Sequence, residues 1–164
     1  MVMLTTILTV QEEVLTFIPN VQLTFLLITV YGATVGLLDG TLIVIVHVLI
    51  DNLVMNSFTP YIIFPMLIGL ELALVFGYLL RNRKEWIVAI FAGLAGFIYC
   101  MIFFLSTVVF YQVEPIPYLI SDIPFEVVLI VCNVITVLFL YKPLVKLINE
   151  NYPKKREVMP EIEL

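Results

Sequence analysis

Long apolar runs alternate with short polar breaks along the whole chain. Crossing a hydrocarbon core takes about 20 apolar residues, or about 17 at the short end. Six runs reach or approach that length: about Met1 to Ile18, Gln22 to Leu38, Thr41 to Met55, Tyr61 to Leu80, Trp86 to Tyr111 and Ile120 to Ile148. The second closes at Gly36 and an Asp39-Gly40 turn signal, and the third ends in Asp51, Asn52, Asn56 and Ser57. No ten-residue alternating pattern of a membrane barrel occurs. The pattern predicts an all-α membrane protein, a six-transmembrane-helix bundle forming one domain over residues 1–150 with a polar tail over 151–164. The break Phe17-Ile-Pro-Asn-Val-Gln-Leu-Thr24 is short, polar and interrupted by Pro19. Irregular backbone at membrane depth survives only when buried in protein or lining a cavity, so Asn20, Gln22 and Thr24 are candidate pocket-rim residues.

Composition agrees. The 164 residues are 62% hydrophobic and 13% charged, against about half apolar and about a quarter charged in soluble domains. A net charge of −5 argues against nucleic acid, which calls for a basic face. All eight basic residues lie in two places: Arg81, Arg83 and Lys84, then Lys142, Lys146, Lys154, Lys155 and Arg156. Six spans put both places on one side, which the positive-inside rule makes cytosolic together with both termini. The joins at Pro19-Asn20, Asn56-Thr59 and Tyr111-Ser121 then face outward. No basic leader or small-residue cleavage site opens the chain, so Met1 to Phe17 reads as a first spanning helix rather than a removable signal. Cys100 and Cys132 lie in apolar runs and read as packing residues.

Ionisable residues inside membrane segments are expensive and carry functional hypotheses by default. His47 and Asp51 are four apart and share a helix face, as do Asn52 and Asn56 on a neighbouring face. They make either a pocket wall or an internally satisfied pair. Asp122, Glu126 and Asn133 form one stripe running inward from the outer surface. Asp122, just before Pro124, also suits a helix N-cap. Glu71 is placed within about one turn of His47 in depth, so the two are expected to meet. Of Glu12 and Glu13, at most one is expected to face the interior. Tyr111, Gln112, Glu114 and Tyr118, with Pro115 and Pro117, make the longest outer loop, either a lid or an interfacial aromatic belt. Ala92, Gly93 and Gly96 allow close helix approach, and Thr5 and Thr9 offer a weaker small-residue face.

No nucleotide loop, His-Glu-x-x-His, Cys-x-x-Cys or Gly-x-Ser-x-Gly is present, and no enzyme activity or cofactor is expected. With His47 the single histidine, heme held by two histidines is excluded.

Six short helices with both ends inside and a polar outer pocket resemble the substrate-binding S components of energy-coupling factor transporters. Several segments are similar to that family: Phe-Ile-Pro-Asn-Val-Gln-Leu-Thr at 17–24, Gly-x-x-x-Gly across 32–36, His-Val-Leu-Ile-Asp-Asn at 47–52, Asp-Ile-Pro-Phe-Glu at 122–126 with Asn133, and Lys-Pro-Leu at 142–144. The resemblance implies capture of a vitamin or related micronutrient at a prokaryotic plasma membrane. It also implies a membrane coupling subunit and a pair of ATP-hydrolysing subunits as partners. The family's site maps onto Asn20, Gln22, Asp51, Asn52, Asn56, Tyr111, Glu114, Asp122 and Glu126, to which the residue reading adds His47. Where the family often carries Ala-x-x-x-Ala as a docking face on the first helix, this chain has Thr5-x-x-x-Thr9. A structural or assembly protein and a stand-alone facilitator are the alternatives. Asp51, Glu114, Asp122 and Glu126, with no basic residue on the outer side, favour a neutral or cationic ligand.

Overall fold

A computed structural model describes residues 1–15 and 23–151, and the described chain is helical: α1 (Val2–Leu15), α2 (Thr24–Thr34), α3 (Leu37–Val54), α4 (Pro60–Leu79), α5 (Glu85–Tyr111) and α6 (Pro115–Asn151). Four of these, α3 to α6, are long and apolar enough to cross a membrane. That makes the protein a membrane-type helical bundle. The expected tail over 152–164 and the Pro19 break lie outside the described residues.

The short α2 is the central strut. It is apolar all round, which is the pattern of a fully enclosed helix. All of its residues from Thr24 to Thr34 are buried, and it touches every other helix. Its largest partner is α4, where glycines let the backbones meet. A Cβ on Gly32 would overlap the Leu74 carbonyl, and one on Gly77 would overlap the Thr29 carbonyl. Around this crossing α4 lies antiparallel to α5, with Phe76 edge-on to Phe91 and Ser106 Oγ donating to the Tyr61 carbonyl at 2.7 Å. Next, α5 pairs with α6, where Gly93 and Gly96 face Val134, Ile130 and Asn133. The small residues of α5 therefore serve packing within this chain. Among the described helices α1 lies on α2 and α3.

Three expected boundaries move. The α2–α3 break falls at Gly36, whose φ of 102° suits glycine, and not at Asp39-Gly40. Gly36 N–H reaches back to the Tyr31 carbonyl at 3.3 Å, and Gly40 N–H already donates to the Gly36 carbonyl at 3.1 Å. Asp39 and Gly40 are thus in the first turn of α3. This cuts the expected second span to 11 residues. The third correction is the outer loop. Pro115 and Pro117 sit in the first turn of α6, where a missing N–H leaves no helical bond unmade. Only residues 112–114 remain as a link, so Tyr118 is helical, and Asp122 lies two turns inside α6 and is no N-cap.

The α2–α4 crossing predicts a contrast. Gly77→Ala forces backbone apart and lowers stability by about 1–3 kcal/mol. Gly36→Ala meets open space, and its loss of about 1–3 kcal/mol comes from the backbone alone, since φ 102° with ψ 179° is a conformation that almost only glycine adopts. Thermal unfolding of both variants in one detergent measures this, and an unchanged Gly77→Ala midpoint would refute the crossing.

Candidate functional site

Polar side chains gather at the C-terminal end of α1. Gln11, Glu12 and Glu13 end an otherwise apolar helix beside the start of α2. Gln11 Oε1 accepts from the Leu23 N–H at 2.9 Å, and its Nε2 donates to Thr24 Oγ1 at 2.7 Å and to the Leu8 carbonyl at 3.0 Å. Thr24 Oγ1 donates to Glu12 Oε2 at 3.1 Å. The Glu12 carboxylate therefore sits at the N-terminal end of α2, where the helix dipole favours negative charge.

His47, fully buried on α3, joins the same carboxylate. Its Nε2 lies 3.0 Å from Glu12 Oε2, and its Nδ1 lies 3.1 Å from Thr9 Oγ1. Nδ1 and the Thr9 hydroxyl are hydrogen-bonded, while Nε2 stands close to the Glu12 carboxylate without a hydrogen bond to it. Asp51, buried one turn further along α3, feels the charges of Glu12, Glu13 and His47. Tyr99 of α5 lies within the electrostatic reach of Glu12 and Asp51, with its ring edge-on to Phe25 and tilted against Phe103.

Further buried groups lie where α6 packs on α5. Cys100, buried next to Tyr99, lies within reach of the charges of Glu126 and Asp122. Glu126 is buried, and its Oε1 has no hydrogen-bond partner. Two turns further along the same face, Asn133 is fully buried, and neither its Nδ2 nor its Oδ1 has a partner. Its amide rests against Gly96, which has no side chain to offer it. Groups from α1, α2 and α3 thus meet at the start of α2, and a second set of buried polar groups lies along α6 where it packs on α5.

No family model matches this chain, and no curated protein and no solved structure matches it. The residues and their geometry carry the reading.

The expected site residues divide. His47 and Asp51 lie in the first set and Glu126 in the second, with Asp122 one turn from Glu126. Asn20 and Gln22 lie outside the described residues. Asn52 is buried but internally used: its Nδ2 donates to the Val48 carbonyl at 2.8 Å and meets Met66 Sδ at 3.3 Å, and its Oδ1 accepts from Ser57 Oγ at 3.2 Å. Asn56 is exposed in the following turn with a φ of 51°. Tyr111 is exposed and shares a short hydroxyl contact with Tyr61, and Glu114 is exposed in the link before α6. Thr5 and Thr9 are buried, with the Thr5 hydroxyl donating to the Met1 carbonyl at 3.3 Å. They line an open apolar groove of about 550 Å³ between α1 and α3. Cys100 and Cys132 are not joined in a disulfide.

Two pairings differ from expectation. His47 does not meet Glu71, whose Oε2 accepts from Thr41 Oγ1 at 2.9 Å. Thr41 and His47 are six residues apart and point to different sides of α3, one toward α4 and the other toward α1. Glu12 and Glu13 are both half-buried, because the nearby start of α2 covers this end of α1. Gln11, Thr9 as the histidine's partner, and Tyr99 were not singled out by the sequence. The Gln-Glu-Glu run within an apolar helix is the signal that points to the first.

The Thr9–His47–Glu12 contact predicts a specific coupling. His47→Leu removes the Thr9 bond and the ring that stands 3.0 Å from Glu12 Oε2 and costs about 1–3 kcal/mol, whereas replacing both His47 and Glu12 by leucine recovers part of that loss. A double-mutant cycle on unfolding midpoints checks this, and strictly additive losses would count against a direct pair.

Proposed function

We propose that this chain is the substrate-capture subunit of an energy-coupling-factor-type importer, binding a vitamin or related micronutrient. In this reading the bundle spans a prokaryotic plasma membrane six times with both termini cytosolic. The single observation that carries it is the set of buried or half-buried polar groups, Glu12, His47, Asp51, Glu126 and Asn133, that three helices hold inside an otherwise apolar bundle. The charge pattern supports the sidedness. The described cations, Arg81, Arg83, Lys84, Lys142 and Lys146, lie around the α4–α5 link and the last turns of α6, away from those groups.

A purely structural protein would satisfy its polar groups internally, as Asn52 and Gln11 do. Glu126 and Asn133 break that rule, as do single atoms of Thr29, His47, Glu71 and Tyr141, and each unmet buried group costs about 1–3 kcal/mol. A retained cost of this kind is what a binding site carries. A stand-alone facilitator is disfavoured because the apolar central strut α2 fills the middle of the bundle. With no nucleotide loop in its own sequence, the chain takes energy from partners: a membrane coupling subunit and an ATP-hydrolysing pair.

Gentle purification of the full chain from its own host tests this directly. The expected result is co-purification of two related ATP-hydrolysing subunits and a larger membrane subunit, with a small molecule retained by the chain. Recovery of the chain alone and empty, with unchanged micronutrient uptake in a deletion strain, would overturn the proposal.

A further inference from the structure

The described lysines and arginines fall at one end of the bundle. Arg81, Arg83 and Lys84 belong to the link between α4 and α5, and all three are exposed. α6 returns antiparallel to α5 and brings Lys142 to the same end, where it pairs with Glu85 in the first turn of α5. Lys146 follows one turn further along α6 and is exposed as well. The described acids near this end are Asp39, Glu85 and Glu150. Glu85 is taken by Lys142, and Glu150 stands 3.9 Å from Lys146. Arg81 lies over the Tyr78 ring, 4.4 Å from its centre. Arg83 and Lys84 make no ion pair among the described residues.

We infer that this end of the protein binds an anionic phospholipid, whose phosphate meets Arg83 and Lys84 and whose acyl chain lies along the exposed face of α5. The inference goes beyond the capture reading and does not depend on it.

Charge is the first observation that carries it. A guanidinium and an ammonium are donors only, and a phosphate offers both the negative charge and the acceptor oxygens that suit them. Basic side chains that flank a membrane segment attract anionic headgroups in this way. The second observation is what adjoins the two cations. Trp86 is exposed in the first turn of α5, and Ile90, Leu94 and Phe97 follow it at helical spacing, so one exposed apolar stripe runs down the helix from the basic link. On α6, Leu138, Ile135 and Val131 make a matching exposed stripe that starts at Lys142. Cations, then a tryptophan, then an apolar face is the order of groups that a bilayer presents from headgroup to acyl chain. A soluble anion would use the cations and leave the stripe uncovered. A zwitterionic lipid would cover the stripe and leave Arg83 and Lys84 without a net counter-charge.

The test titrates the full chain in detergent with phosphatidylglycerol, with phosphatidylcholine of the same acyl chains, with inorganic phosphate and with an oligo-glutamate peptide, and reads the unfolding midpoint. Phosphatidylglycerol is expected to raise it by several degrees at concentrations where the other three do not move it. Arg83→Gln combined with Lys84→Gln is expected to need at least about tenfold more of that lipid for the same rise, which is about 1.4 kcal/mol of binding. Lys142→Gln combined with Lys146→Gln removes as much charge, but from residues that face acids, and is expected to change the titration much less. Equal stabilisation by phosphatidylcholine, by phosphate or by the peptide overturns the inference, and so do equal losses in the two double variants or a parent that does not respond. A check that needs no variant is the same titration of the parent in high salt. The difference between the two lipids is expected to vanish there, because screening acts on the exposed charges and not on the apolar stripe. A difference that persists in high salt overturns the assignment to Arg83 and Lys84.

Discussion

Everything in this bundle depends on how closely α2 and α4 approach. At Gly32 and Gly77 the backbone of one helix lies against the carbonyls of the other. Close packing through small residues is the main source of helix association where surroundings are already apolar. Because the contact is backbone to backbone, it has no side-chain rotamer by which to relax. It fixes α2 in the middle, and α2 in turn fixes the start of its own first turn beside Gln11 and Glu12. The polar groups of α1, α2 and α3 are assembled around that point.

The bundle shows two ways of handling buried polarity. Around α1 most groups engage one another: Gln11 ties down Leu23 and Thr24, Thr24 donates to Glu12, and His47 bonds Thr9 while its Nε2 only stands close to Glu12. Along α6 they do not, and Glu126 and Asn133 keep unmet atoms. The first arrangement holds α1 to the rest of the protein, since among the described helices α1 touches α2 and α3. The second holds nothing together.

Much of the fold was legible in the sequence because an apolar run of membrane length has few alternatives to a helix. The runs ending at Leu80 and Tyr111 match α4 and α5 to within a residue or two. What failed were readings of turn residues. Asp39-Gly40 has the composition of a turn, yet Gly40 is needed small against Leu74 inside α3, and the chain breaks at Gly36. The prolines at 115 and 117 have the composition of a stiff loop, yet they start a helix. The site was partly legible. His47, Asp51 and Glu126 stand out as ionisable groups in apolar surroundings, and their spacing gave the shared faces. Partners across helices were not legible, because periodicity tells which residues share a face and not which helix that face meets. That is why Glu71 was assigned to His47 when Thr41 holds it.

The length of α6 has a mechanical consequence. Its 37 residues form one continuous helix that runs through Pro124 and Pro143, about 55 Å at the helical rise. A hydrocarbon core is about 30 Å thick, so much of this rod must reach past it. Such a rod acts as a lever. Tilting it by about 10° about its midpoint swings each end by about 5 Å, close to one helical pitch. Asn133 stands at that midpoint, so a change of tilt there leaves Asn133 in place while Ile148 and Asn151 move by several ångströms.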